Sequence, residues 1–106
     1  MNFTDYQEWT RTTVAYPKSA EGEYVTAGLV SEIGELMGAA AKYHRGDYDF
    51  NEFLSRIEAE LGDILWFIAR YADFYDLGLQ ELAERNVDKL IDRKARGVIK
   101  GDGDKR

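Results

Sequence analysis

Apolar side chains return every three or four positions through two long stretches of this chain. That is the spacing of one helix face, not the alternation of a strand. The pattern predicts four helices. The first covers residues 5 to about 15, with Thr4 as N-cap and Gln7 three residues on in a capping-box spacing. Pro17 stops it, because proline lacks the N–H a helix interior needs. A second runs from 21 to about 43 and ends at the basic turn HRGD, and a third runs from about 50 to 75 and is closed by Gly78. A fourth covers 79 to 95. No alternating strand appears, so the expected fold is all-α, an antiparallel four-helix bundle with short connections. The expected domain spans residues 1–96, and the glycine-rich segment 97–106 is a flexible tail that could close over a site.

Projected on a helical wheel, the second helix buries Val25, Leu29, Ile33, Leu36, Ala40 and Tyr43. Glu32 falls inside the edge of that stripe, with Glu35 one step round and Gly28 and Ala39 in the same sector, where two small residues beside two acids are expected to leave an oxygen-lined recess. The third helix has a broad apolar face that includes Phe53, Ile57, Ile64 and Tyr71, with Glu60 inside it and Asp63 at its border. A lone carboxylate there would carry a large desolvation penalty. Two pairs, ExxE and ExxD, on helices that pack together imply a shared counter-charge, and no basic residue inside either stripe supplies one. Oxygen-only ligands favour a hard divalent cation such as Mg²⁺ or Mn²⁺. The alternative is that these acids are ordinary solvated charges. In the fourth helix Leu79, Leu82, Ala83 and Leu90 define an expected buried stripe with Asn86 at its centre, flanked by Lys89 and Arg93. An amide and two cations suit a sugar and a polyphosphate, or, more simply, an interhelical hydrogen bond and two snorkelling cations.

Composition narrows the classes. At 106 residues the chain is one domain with a modest core. A net charge of −6 argues against a dedicated nucleic-acid binder. It does not exclude a phosphorylated small molecule, since a bound metal reverses the local sign. There is no cysteine, no basic-then-apolar leader and no stretch near the roughly 20 apolar residues of a membrane span. The expectation is a cytoplasmic protein without a membrane partner. The third helix is apolar over more than half its circumference, which predicts a homodimer or a larger assembly such as a tetramer.

Three segments carry a resemblance: GLVSEIGEL (28–36), ELGDILWFIARYAD (60–73) and NVDKLIDRKARG (86–97). Together they resemble the MazG-like all-α nucleoside triphosphate pyrophosphohydrolases. The resemblance implies that Glu32, Glu35, Glu60 and Asp63 bind Mg²⁺. It implies that Asn86, Lys89 and Arg93 hold a nucleoside triphosphate, with the two cations on phosphates and Arg56 a further candidate. The implied reaction is hydrolysis between the α- and β-phosphates, with Glu32 or Glu35 positioning or deprotonating the water. Competing readings are a phosphoribosyl-ATP pyrophosphohydrolase with another base pocket and a non-enzymatic helical dimerisation module. A ferritin-like dimetal protein is disfavoured, because that architecture uses Glu-x-x-His pairs. His44 reads as a helix C-terminal dipole partner, and Tyr6, Trp9 and Tyr16 as core or interface aromatics. Trp66, off the main apolar face, reads as a subunit contact or pocket wall.

Overall fold

The computed structural model describes all of residues 1–106. It is all-helical: α1 (Phe3–Thr10), two 3₁₀ turns (Arg11–Thr13 and Lys18–Ala20), α2 (Glu21–Arg45), α3 (Phe50–Phe74) and α4 (Leu79–Ala95). The helix ends show local chemistry at work. Asn2, not Thr4, caps α1: its side chain accepts from Asp5 N–H at 2.8 Å, and Asp5 accepts in return from Asn2 N–H. The helix is shorter than the expected 5–15. Thr10, Thr12 and Thr13 each donate a hydroxyl to the carbonyl three residues back, a local bond that competes with a regular helix, and the chain tightens into a 3₁₀ turn well before Pro17.

Helix α2 outlasts the expected end at residue 43 by two residues. It stops where Gly46, at φ +88°, takes the left-handed conformation that releases the chain. Asp49 caps α3 by accepting from Glu52 N–H at 2.9 Å. Gly78 does not close α3, as its φ of −88° is ordinary. Asp76, at φ +56°, makes the reversal instead, a conformation aspartate tolerates better than most residues.

Helices α2 and α3, joined by residues 46–49, form an antiparallel hairpin that frames the molecule. Its core is small. Val25 is fully buried, with Phe67 and Tyr16 beside it. Gly28 does not open a recess: a Cβ there would lie 2.2 Å from the Phe67 ring, so the aromatic fills the space. Ile33, expected inside, is 45% exposed, while Ala39 is buried. Helix α4 packs chiefly on α1. Its expected stripe is therefore open along most of its length: Leu79 is buried, but Leu82, Asn86 and Leu90 are exposed.

The chain is also extended. Its radius of gyration is 16.9 Å, against about 13 Å for a compact domain of this length. It exposes 7641 Å², where a compact monomer of this mass exposes about 6,000 Å². Val30, Met37, Leu61, Val87 and Ile91 account for part of the excess, each more than half exposed. An apolar groove of about 430 Å³ runs between Leu29, Ile68, Tyr71, Tyr75 and Leu82. No helix is long and apolar enough to cross a membrane.

Candidate functional site

Midway along the hairpin, Glu32 of α2 meets Glu60 and Asp63 of α3. Each offers a carboxylate oxygen within 4.8 Å of the others. One oxygen of Glu32 and one of Glu60 are buried and have no hydrogen-bond partner. None of the three acids joins a salt bridge. Buried acceptors without donors are costly, so this cluster is incomplete as the chain alone presents it. The strain registers on Glu32. Burial first, and then the neighbouring carboxylates of Glu60, Glu35 and Asp63, push its pKa up to about 7. An all-oxygen donor set with orphaned lone pairs fits a hard divalent cation, and Glu32, Glu60 and Asp63 are the residues that would hold it.

Glu35, the fourth expected acid, stands one turn along α2, exposed and outside that trio. It opens with Glu60 onto a pocket of about 250 Å³ whose other walls are Gly38, Ala39, Lys42 and Arg56. Arg56 is held at the pocket by a 3.0 Å bond to Glu52 and by lying 4.4 Å over the Tyr48 ring. On the other side of the acids the hairpin turns aromatic. Tyr16 stacks on Tyr24 at 4.5 Å, and Trp66 meets Phe67 edge-on at 4.9 Å. Trp66 is half-buried in this wall and donates its indole N–H to Thr13 at 2.7 Å.

The α4 residues lie elsewhere. Lys89 Nζ donates to the Asp104 carboxylate at 2.8 Å, and buried Arg93 donates to the Asp104 carbonyl at 2.6 Å and to its carboxylate at 3.2 Å. The tail is thereby folded back on α4, and Arg106 fastens it by donating to the carbonyls of Val98, Ile99 and Gly103. Asn86 is exposed, because α4 leans on α1 and leaves this part of its surface uncovered.

A model of the MazG nucleotide pyrophosphohydrolase domain matches residues 21–98, which hold the acid trio, both groups of cations and the whole hairpin. The chain belongs to the MazG nucleotide pyrophosphohydrolase family. It is also similar to the Gene 37 protein of Mycobacterium phage L5, at 41% identity with both chains covered in full. No solved structure matches it.

Two features escaped the sequence reading of this MazG chain. Lys42 lies seven residues, two turns, beyond Glu35, so the wheel that placed the acids also places this cation on their side. The second feature is a polar knot beyond the aromatics. Asp73 accepts from Gln7, from both Arg11 donors and from Arg70 at 2.7–2.9 Å. Gln7 also donates to the Leu77 carbonyl and accepts from Leu79 N–H at 2.7 Å, which ties α1 to the end of α3 and the start of α4. Periodicity carries no trace of such a knot.

Proposed function

We propose that this chain is a Mg²⁺-dependent pyrophosphohydrolase that converts a nucleoside or deoxynucleoside triphosphate to the monophosphate and pyrophosphate, with Mn²⁺ a substitute ion. The supporting observation is the trio Glu32, Glu60 and Asp63, which has no cationic partner and in which one oxygen each of half-buried Glu32 and Glu60 is buried and orphaned. A bound divalent ion supplies charge neutralisation and orientation of the triphosphate. Glu35 lies outside the trio and lines the pocket, and it is one candidate to take the proton of the attacking water. Glu32 is the other candidate for that proton. The water oxygen bonds to the α-phosphorus, and the bridging oxygen departs with the pyrophosphate. Asn86, Lys89 and Arg93 keep the substrate-holding role, with Asp104 standing on the two cations where a phosphate would. The test is a panel of NTPs, dNTPs and phosphoribosyl-ATP assayed with Mg²⁺ for released pyrophosphate. Orthophosphate as the sole primary product would sink the reading.

We also infer a homo-oligomer, a dimer or a tetramer. The excess surface of roughly 1,600 Å² per chain over a compact monomer is about twice the roughly 800 Å² that each partner gives to a standard interface, and matches the larger interfaces of obligate assemblies. Its apolar part includes the groove of the hairpin and the open side of α4. A second copy with the same two faces is the occupant whose chemistry matches. A monomer mass by light scattering at micromolar concentration would refute it.

A further inference from the structure

We propose that Lys42 of α2 and Arg56 of α3 form a subsite for the pyrophosphate end of the substrate, setting the direction in which the triphosphate lies along the hairpin. The proposal rests on the pyrophosphohydrolase reading and adds Lys42 to it.

Three observations carry it. The pocket shares Glu60 with the acid trio, so a phosphate chain lying over the acids runs directly into it. Its volume of about 250 Å³ falls below the roughly 300–1,000 Å³ of pockets that take whole drug-sized ligands. Ala39 is its only apolar wall, so it suits a compact polar anion and offers a base nothing to stack on. The aromatic wall of Tyr16, Tyr24, Trp66 and Phe67 lies on the opposite side of the acids. On α3, Arg56 precedes Glu60 by one turn and Phe67 follows Asp63 by one turn. A nucleotide bridging the site therefore has its base toward α1 and its β- and γ-phosphates toward Lys42 and Arg56. The two cations are complementary in kind. Arg56 is pre-positioned by Glu52 and Tyr48. The Lys42 ammonium has no salt bridge in the chain and is available to a ligand.

The experiment is calorimetric titration of the full chain, in Mg²⁺, with inorganic pyrophosphate and separately with a nucleoside monophosphate. The variants are Lys42→Gln, Arg56→Gln and Gly38→Leu. A Cβ at position 38 meets nothing within 4 Å, so a larger residue there adds bulk to the pocket wall while removing a helix-weakening glycine. Lys42→Gln and Arg56→Gln should each weaken pyrophosphate binding about tenfold, the loss of one charge-assisted contact, and Gly38→Leu should weaken it by occupying the space. Monophosphate affinity and the Mg²⁺-induced rise in melting temperature should be retained. Unchanged pyrophosphate affinity in Lys42→Gln and Gly38→Leu, or an equal loss of monophosphate binding, overturns the proposal. The pyrophosphohydrolase reading fails on a different result, a wild-type chain that releases no pyrophosphate from any triphosphate. Lys42-dependent pyrophosphate binding would then still stand as an anion subsite.

Discussion

Asp63 and Asp73 lie ten residues apart on one helix, in opposite surroundings. Around Asp73 the charges balance. Two guanidiniums and an amide donate to it, and the Arg11 and Arg70 hydrogen bonds hold its pKa down to about 2. Around Asp63 they do not. Its neighbours are Glu32 and Glu60, and burial and like charge push Glu32 up to about 7. The first cluster satisfies its carboxylate in full, with Arg70 Nε alone left unpaired, and fastens α1 across the hairpin. The second is stabilised only by a proton or by something the chain does not itself supply. A buried charged group that has its partners is part of the fold, and one that lacks them points to a ligand.

The largest expected effect breaks the complete cluster. Asp73→Ala leaves Arg70, 5% exposed in its side chain, with only the looser Glu21 carboxylate at 3.9 Å. Breaking one side of a buried pair costs about 3–5 kcal/mol. Arg11 is half exposed and adds little. At about 4–8 °C per kcal/mol for a domain of this size, the melting temperature should fall by more than ten degrees. The linkage sign agrees. A carboxylate with a depressed pKa contributes stability above the ordinary carboxylate range, and that stability is lost as pH falls toward 2. A drop of only a degree or two in circular dichroism melts would mean that the knot is decorative.

The opposite sign is expected at the incomplete cluster. Two like charges within 4.8 Å repel by about 3 kcal/mol at an effective dielectric near 20. Protonation of Glu32 already relieves part of this. Glu60→Gln should therefore stabilise the chain in EDTA by about 1–2 kcal/mol while abolishing hydrolysis and the thermal response to Mg²⁺. A destabilised variant, or one that still responds to the metal, contradicts the reading.

Solution pH should separate the two clusters without mutation. Glu32 holds its proton more tightly folded than unfolded, so the folded state binds more protons between the ordinary carboxylate range and about pH 7. Stability in EDTA must then decline as pH rises through that window, because the slope follows the unfolded-minus-folded proton count. A metal binds the deprotonated form, so the Mg²⁺-induced gain in melting temperature should grow from pH 6 to pH 8. A hundredfold excess over Kd contributes about 2.7 kcal/mol, well within thermal detection. A flat profile in EDTA would place Glu32 in water.

The helices and the acid pairs were legible because both follow a 3.6-residue period, and Glu32, Glu60 and Asp63 converge as two facing stripes require. What was not legible depends on relations that cross the period. The Thr4 cap was wrong because Asn2 and Asp5 offer an equally good box two residues earlier. The buried stripe assigned to α4 presumed a cover from α2 and α3, whereas α4 leans on α1 and leaves Asn86 exposed. Gly28 looked like open space because a wheel cannot show that Phe67 on another helix fills it. The Asp73 knot draws on α1, α3 and the start of α4, and no single wheel holds it.

The smallest effect on stability should carry a clear kinetic signature. Asp104 is 79% exposed, and its carboxylate neutralises Lys89 and Arg93, the α4 cations proposed for substrate phosphates. The same contacts hold the Asp104 pKa below its ordinary value, the Lys89 hydrogen bond foremost. Asp104→Asn keeps the side-chain size and the 2.6 Å bond from Arg93 to the backbone carbonyl, and removes only the charge. Asp104 itself is exposed and Arg93 keeps its backbone bond, so the melting temperature should move by about a degree at most. If Lys89 and Arg93 take phosphates, a tethered carboxylate competes with substrate at high effective concentration. Removing it should lower KM several-fold with kcat little changed, and the difference should shrink at high salt as screening weakens the tether. A raised KM would assign Asp104 the positive task of aiming Arg93. An unchanged KM, with Lys89→Gln also silent, would take the α4 cations out of the site and leave the phosphates to Lys42 and Arg56.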